Sequence, residues 1–247
     1  MDSLAYASAP VTVRRDLVEA QTRAWRGLGR PGTWWTGTER VAIAAEVRAA
    51  ARCALCLARK AALSPYTVAG IHDGPAELPP VVIEAVHRIA TDPGRLTRQW
   101  FVRLLDGGLG DAAYVELLGV LVTVLGIDAF CRAIGVPPHP LPHAEPGTPA
   151  RTRPAAARDE GAWVPTIPGN AAGGEFADLY ADIPGLVPNV IRALSLVPDA
   201  LRTMKDLGAA HYMTPAEMTD LTHGRSLSRA QMELIAGRVS ALRECFY

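Results

Sequence analysis

An excess of charge of either sign is the first thing this 247-residue chain lacks: Lys plus Arg is 25 and Asp plus Glu is 25, so the formal net charge is zero. Nucleic-acid-binding domains normally carry a basic excess, and that class of partner is set aside. Aromatic residues are scarce at 6% while alanine is frequent, a balance that favours helices over sheets. No segment alternates polar and apolar residues for long enough to suggest a half-buried strand. Long apolar runs are missing too. The most apolar stretch, Leu117 to Ile127, is bounded by Glu116 and Asp128 and falls well short of the roughly twenty residues of a membrane span. It reads as a buried core helix. The N-terminal segment has no basic stretch followed by an apolar one, so no signal peptide is expected, and the chain is read as cytoplasmic with no membrane partner. Cysteine is sparse, at 53, 56, 131 and 245. A disulfide framework is not expected of such a chain, and a CxxC there is more often redox or metal chemistry.

What is present fits a globular, all-α chain long enough to bury a sizeable core, with 49% apolar and 20% charged residues. A first helix is expected over about 11–28, ending at Gly27-Leu-Gly29 before Pro31. Thr36-Gly-Thr-Glu39 reads as a capping box that opens a long helix through Lys60, stopping before Ser64-Pro65. Further helices are expected at about 80–90, 95–106 and 111–134, punctuated by Asp92-Pro93, Gly107-Gly108 and Gly135-Val-Pro137. Nine of the chain's 20 prolines lie between Pro137 and Pro168, where large apolar residues are few, and this stretch reads as a linker without a core of its own. Beyond it, helices are expected at about 186–197, 199–211 and 227–245. The organisation expected is a first unit over 1–136, a Pro-rich linker over 137–170 and a second unit over 171–247.

Chemistry concentrates between Glu39 and Lys60. Glu39, Glu46, Cys53 and Lys60 recur every seven residues, which on a continuous helix places them on one face, with Cys56 one turn from both Cys53 and Lys60. An ammonium beside a thiol favours the nucleophilic thiolate, and a carboxylate can shuttle its proton. Two neighbouring thiols can then close to a disulfide once one sulfur is oxidised. The bland readings are a solvated Glu/Lys face and inert buried cysteines. A zinc site needs about four ligands. No second CxxC exists, and His72, His87, His139 and His143 show no paired-ligand spacing, so no metal or other cofactor is assigned. A thioredoxin-like reading lacks the strand that should precede the motif. Cys131 reads as a packed core thiol, Trp34 and Trp35 as a staple on the following helix, His87 as structural or exposed, and His211-Tyr212 as a helix-end pair.

The C-terminal segment from Ser228 to Tyr247 aligns with the first: with Cys245 laid on Cys53, Ile235 matches Ile43, Ala236 matches Ala44, Val239 matches Val47 and Ala241 matches Ala49. This is a weak internal repeat, consistent with duplication. Glu233 stands twelve residues before Cys245, and with Ser240-Ala241 this resembles the active-site motif of the AhpD-like alkylhydroperoxidase and carboxymuconolactone decarboxylase family. In that family a Glu precedes a CxxC by twelve residues and a His follows by four. Val187 to Pro198 is similar to the segment preceding the motif in the peroxidase-related branch, and Leu78 to Pro137 to the half that follows it. Around Cys53 the sequence departs from the pattern. Val41 stands at the Glu position, so Glu46 or Glu39 would substitute, and Lys60 stands where the family has His.

The resemblance implies an AhpD-like helical bundle, one full unit plus the front portion of a second. It implies a thiol-dependent hydroperoxide or disulfide reductase in which Cys56 attacks, Cys53 resolves, and Glu46 and Lys60 relay protons. It also implies a thiol or lipoyl-type reductant and a homo-oligomer. In the second copy Glu233 would be the base, Cys245 the resolving sulfur and residue 248 the attacking one. The given sequence stops before that residue, for which two expectations stand side by side: a selenocysteine codon read as a stop, or a frameshift, a cut boundary or a degenerate second copy. A twelve-residue separation on an unbroken helix spans about 18 Å, so Glu233 meets Cys245 only if the helix breaks, and Arg243-Glu244 gives no break. The alternatives are a non-catalytic helical interaction protein and a lactone decarboxylase of the same superfamily.

Overall fold

Local signals set most of the helices. At Thr36 the hydroxyl accepts from the backbone N–H of Glu39 while the Glu39 carboxylate accepts from the N–H of Thr36, closing both ends of the expected capping box. The computed structural model describes residues 4–170, 174–183, 185–242 and Cys245. Among the described residues the regular structure is helical, and the one extended pairing is an isolated antiparallel bridge between Arg158 and Thr166. The helices are α1 (Arg15–Leu28), α2 (Gly37–Ala50), α3 (Ala54–Ala61), α4 (Pro80–Thr91), α5 (Arg98–Asp106), α6 (Asp111–Ala133), α7 (Asn189–Arg192), α8 (Pro198–His211), α9 (Pro215–Thr219) and α10 (Arg229–Leu242). The fold is all-α, as composition and punctuation imply.

The apolar helix α6 is the hub. It packs against α1, α2, α4 and α8, and its Val115, Leu117, Val124, Ile127 and Cys131 are fully buried. By length and hydropathy it is sufficient to cross a membrane, yet here it forms the centre of a helical core. Two charged tethers fix α2 along it. Arg40 pairs with the buried Glu116 at 2.6 Å, and Arg48 makes a two-pronged contact to Asp128 at 2.7 and 2.8 Å. Such planar forks fix orientation as well as proximity. Trp35 is buried and donates from Nε1 to the Ala113 carbonyl, so its place is in the core at the foot of α6.

Two expectations are corrected. The helix read as continuous from Thr36 to Lys60 is interrupted at Ala51-Arg52-Cys53, where Cys53 is extended and serves as the N-cap of α3. The interruption is fixed from outside: Asp73 accepts the N–H of Ala54 at 2.9 Å and donates its own N–H toward Cys53 Sγ at 3.4 Å. A cap supplied by a residue twenty positions away leaves no mark in the local pattern. Second, the Pro-rich stretch does not stand apart as a spacer. Glu145 donates to the Gly29 carbonyl, Arg151 to that of Thr33, and Val164 and Ile167 join the same buried cluster as Trp25, Ile43, Leu117 and Leu196. Proline deprives a segment of helix but not of apolar side chains, and this one is laid as an extended strap over the bundle.

Candidate functional site

The interruption after α2 creates the site. Glu46 projects from α2 with its side chain wholly buried. The chain then turns, and the CxxC opens α3, with Cys53 at the N-cap and Cys56 within the first turn. The segment from Ala62 to Pro79 returns over these sulfurs and delivers His72, after which α4 supplies Glu84 and His87. Close packing holds the returning segment down. Its Ala76 N–H donates to Glu46 Oε1 at 2.7 Å, and a side chain at Gly74 would lie 2.0 Å from Glu46 Oε2, so only glycine fits there.

Cys56 Sγ is the centre of the arrangement, 3.3 Å from His87 Nδ1 and 3.5 Å from His72 Nδ1. Cys53 Sγ is likewise 3.5 Å from His72 Nδ1. The far nitrogen of each ring is held by a carboxylate: His87 Nε2 lies 2.8 Å from Glu46 Oε2, and His72 Nε2 lies 2.8 Å from Glu84 Oε2. With Nε2–H donated to a carboxylate, a neutral ring at either position turns its Nδ1 lone pair toward the sulfurs and can take a proton from them. Glu84 is fixed in turn by Arg59 at 2.8 Å and by the indole N–H of Trp100 at 3.3 Å. The two rings lie 4.3 Å apart between centroids. Both sulfurs are closed off, with Cys53 1% and Cys56 2% exposed.

Burial by itself pushes the Cys56 thiol up, but the hydrogen bonds from His72, His87 and Cys53 outweigh it and bring it down to about 6. Burial likewise opposes ionisation of Cys53, which is nonetheless lowered by the N–H groups of Cys56 and Asp73 and by His72. For His72 burial favours the neutral ring, yet Cys56, Glu84 and Cys53 raise it to about 10. Glu84, despite burial, is drawn down to about 2 by His72 and Arg59. His87 is also raised, burial being outweighed by Cys56 and Glu46. The reduced site therefore pairs the Cys56 thiolate with the His72 imidazolium, with a carboxylate behind each of the two rings.

Of the residues singled out by spacing, Cys53, Cys56 and Glu46 come together. Lys60 does not: it is exposed at the end of α3, and His87 and His72 occupy the place beside Cys56 that the seven-residue spacing gave it. Glu39 is spent on the capping box of α2. Glu233 is on α10, bound to the Tyr212 hydroxyl and to Arg229. Helix α10 runs unbroken from Arg229 to Leu242, which holds Glu233 away from the exposed Cys245. The expectation for Arg243-Glu244 lies outside the described residues. Cys131 is a buried core thiol whose ionisation burial opposes.

Spacing missed His72, His87, Glu84 and Arg59. A usable signal was present on α4, where His87 lies among the buried Val82, Ala85, Val86 and Ile89, with Glu84 one turn before it. A cavity of about 540 Å³ adjoins the site, lined by Arg59 and Glu84 together with Tyr66, Arg88, Trp100 and Arg103. Compared with protein-family models, with curated proteins and with solved structures, the chain matches none of them.

Proposed function

We propose that this chain is a thiol-dependent hydroperoxide reductase of AhpD-like type, in which Cys56 attacks and Cys53 resolves. The observation that carries the reading is the buried chain Glu46–His87–Cys56, ending on a sulfur that shares a helical turn with a second thiol. The carboxylate fixes the tautomer of His87, so that Nδ1 is free to accept the Cys56 proton. Support for the resemblance comes from the break before the CxxC, the feature that lets a carboxylate on one helix reach a thiol on the next. His87 takes the part given to Lys60 by spacing.

In the first step the Cys56 thiolate attacks the distal peroxide oxygen. The S–O bond forms, the O–O bond breaks, and the departing alkoxide takes the proton held on His87 to leave as an alcohol. Cys56 is oxidised to the sulfenic acid by two electrons as the peroxide is reduced. The Cys53 thiolate then attacks Cys56 Sγ, forming the disulfide. Hydroxide leaves and is protonated to water. A dithiol reductant of the lipoyl kind returns both sulfurs to thiols by exchange. Because both thiols are buried, the substrate must be small or the segment over them must lift.

The test is oxidation of the reduced chain by hydrogen peroxide, followed by mapping of the bond formed. The expected product is a Cys53–Cys56 disulfide. Cys53→Ser should leave a sulfenic acid on Cys56 that a dimedone-type reagent traps, and His87→Asn should slow oxidation by about 10²–10⁴-fold. Peroxide turnover that survives Cys56→Ser would sink the reading, as would failure of the folded, reduced wild type to form the disulfide. In the latter case the lactone decarboxylase and the non-catalytic interaction protein become the readings to pursue.

A further inference from the structure

We infer that the reduced chain binds one zinc-class divalent ion through Cys53 Sγ, Cys56 Sγ, His72 Nδ1 and His87 Nδ1. These four donor atoms lie within 4.8 Å of one another. A tetrahedral zinc ion with sulfur at about 2.3 Å and nitrogen at about 2.0–2.1 Å separates neighbouring S and N donors by roughly 3.5 Å. Three of the four sulfur–nitrogen separations here are 3.5, 3.5 and 3.3 Å. They already equal the edges of such a tetrahedron, and the remaining edges need close by only about an ångström.

The surroundings point the same way. Metal-bound histidines almost always give their other ring N–H to a carboxylate or carbonyl, which fixes the ring and strengthens the donor nitrogen. Both rings do so, His72 to Glu84 and His87 to Glu46, at 2.8 Å each. The carboxylates are anchored in their turn, Glu84 by Arg59 and Trp100, Glu46 by the Ala76 N–H. Two thiolates neutralise a divalent ion, so the ion and its four donors together carry no net charge. An S₂N₂ tetrahedral set selects zinc or iron over magnesium, calcium or manganese. With four protein donors and both sulfurs buried, the ion has no open position, which marks a structural site.

An ion held there shares the lone pair that would attack a peroxide, so the loaded chain reacts with hydroperoxide more slowly than the unloaded one. Its release rests on the peroxidase reading. When a hydroperoxide oxidises the two thiolates, two electrons from the sulfurs and two protons from water convert it to alcohol and water, the disulfide forms, and the ion leaves because a disulfide is not a thiolate donor.

The test uses the purified chain, reduced and freed of metal with a chelator, then titrated with Co²⁺ as the coloured stand-in for zinc. The expected result is one equivalent bound, with tetrahedral ligand-field bands and sulfur-to-cobalt charge transfer, all abolished by added Zn²⁺. Cys53→Ser should lose about half of the charge-transfer intensity, and Glu84→Gln should weaken binding by about 10–100-fold. Lys60→Ala should change nothing. If the metal-free chain loses helicity and cobalt restores it, the inference is likewise supported. A folded, reduced chain that shows no charge transfer overturns it, as does a cobalt spectrum that persists in Cys56→Ser. Adding hydrogen peroxide separates the two readings. A disulfide without prior cobalt binding leaves the peroxidase reading standing and the metal site refuted, whereas cobalt binding with no disulfide does the reverse.

Discussion

Cys56 owes its character to two histidines that come from outside its own helix. Its ionisation gives a direct check in the metal-free protein. The ultraviolet thiolate signal lost in Cys56→Ser should titrate with a midpoint of about 6, where an ordinary thiol stays protonated up to its usual 9.0. The folded value lies below the unfolded one, so this thiolate stabilises the fold fully above the ordinary thiol range and progressively less as pH falls through about 6. His72 works in the opposite sense. Its contribution is complete below its usual 6.5 and fades as pH rises through about 10, so the thiolate–imidazolium pair is at its strongest between the two. A thiol midpoint near 9 would refute this arrangement. Cys53 and Cys56 are legible because their spacing is short, and Glu46 is picked out on a helix expected to be continuous that breaks before Cys53, so it reaches Cys56 through His87 instead. The sequence hid His72 and His87 because a contact across a returning segment has no periodicity to read.

Among the elements, the pair α2 and α10 shows how the same pattern can meet different fates. Ile43 and Val47 on α2 are buried, with 0% and 2% exposure, whereas their repeat partners Ile235 and Val239 on α10 are each 53% exposed. The pattern specifies an apolar stripe, but only packing decides whether water leaves it. Helix α10 buries none of its described residues, and α6 buries about half of its own. Amide exchange should follow: α10 is expected to exchange through local opening far ahead of α6 and α2, whose protection should approach that of global unfolding. Equal protection of α10 and α6 would contradict the packing described. The start of α2 is legible because its cap at Thr36 is encoded locally, whereas α5, expected from about 95, begins only at Arg98, where the Thr97 hydroxyl accepts from Trp100. The break at Cys53 was invisible because Asp73 supplies the cap.

On the scale of the whole molecule, the strap from Pro137 to Pro168 is the part that composition misjudged. Ile167 is fully buried, its N–H donates to Ser195 Oγ at 2.8 Å, and its carbonyl accepts from the Tyr180 hydroxyl at 2.9 Å. Proline content reports what backbone a segment cannot form, and says nothing of the partners waiting for its few apolar side chains. Ile167→Ala should therefore cost about 2–5 kcal/mol in denaturant unfolding, the range of a core truncation. A change within about 0.5 kcal/mol would return the segment to the status of a surface connection. The segment between α3 and α4 is tied down differently. Asp73 reaches Cys53 Sγ, Ala76 reaches Glu46, His72 reaches both sulfurs, and Ile71 faces outward at 91% exposure. The clasps of this cover are the reacting groups themselves. Whatever happens to the sulfurs is thus also a change in how firmly the lid is buttoned, and the chemistry of the interior is written on the outer surface by the same few hydrogen bonds.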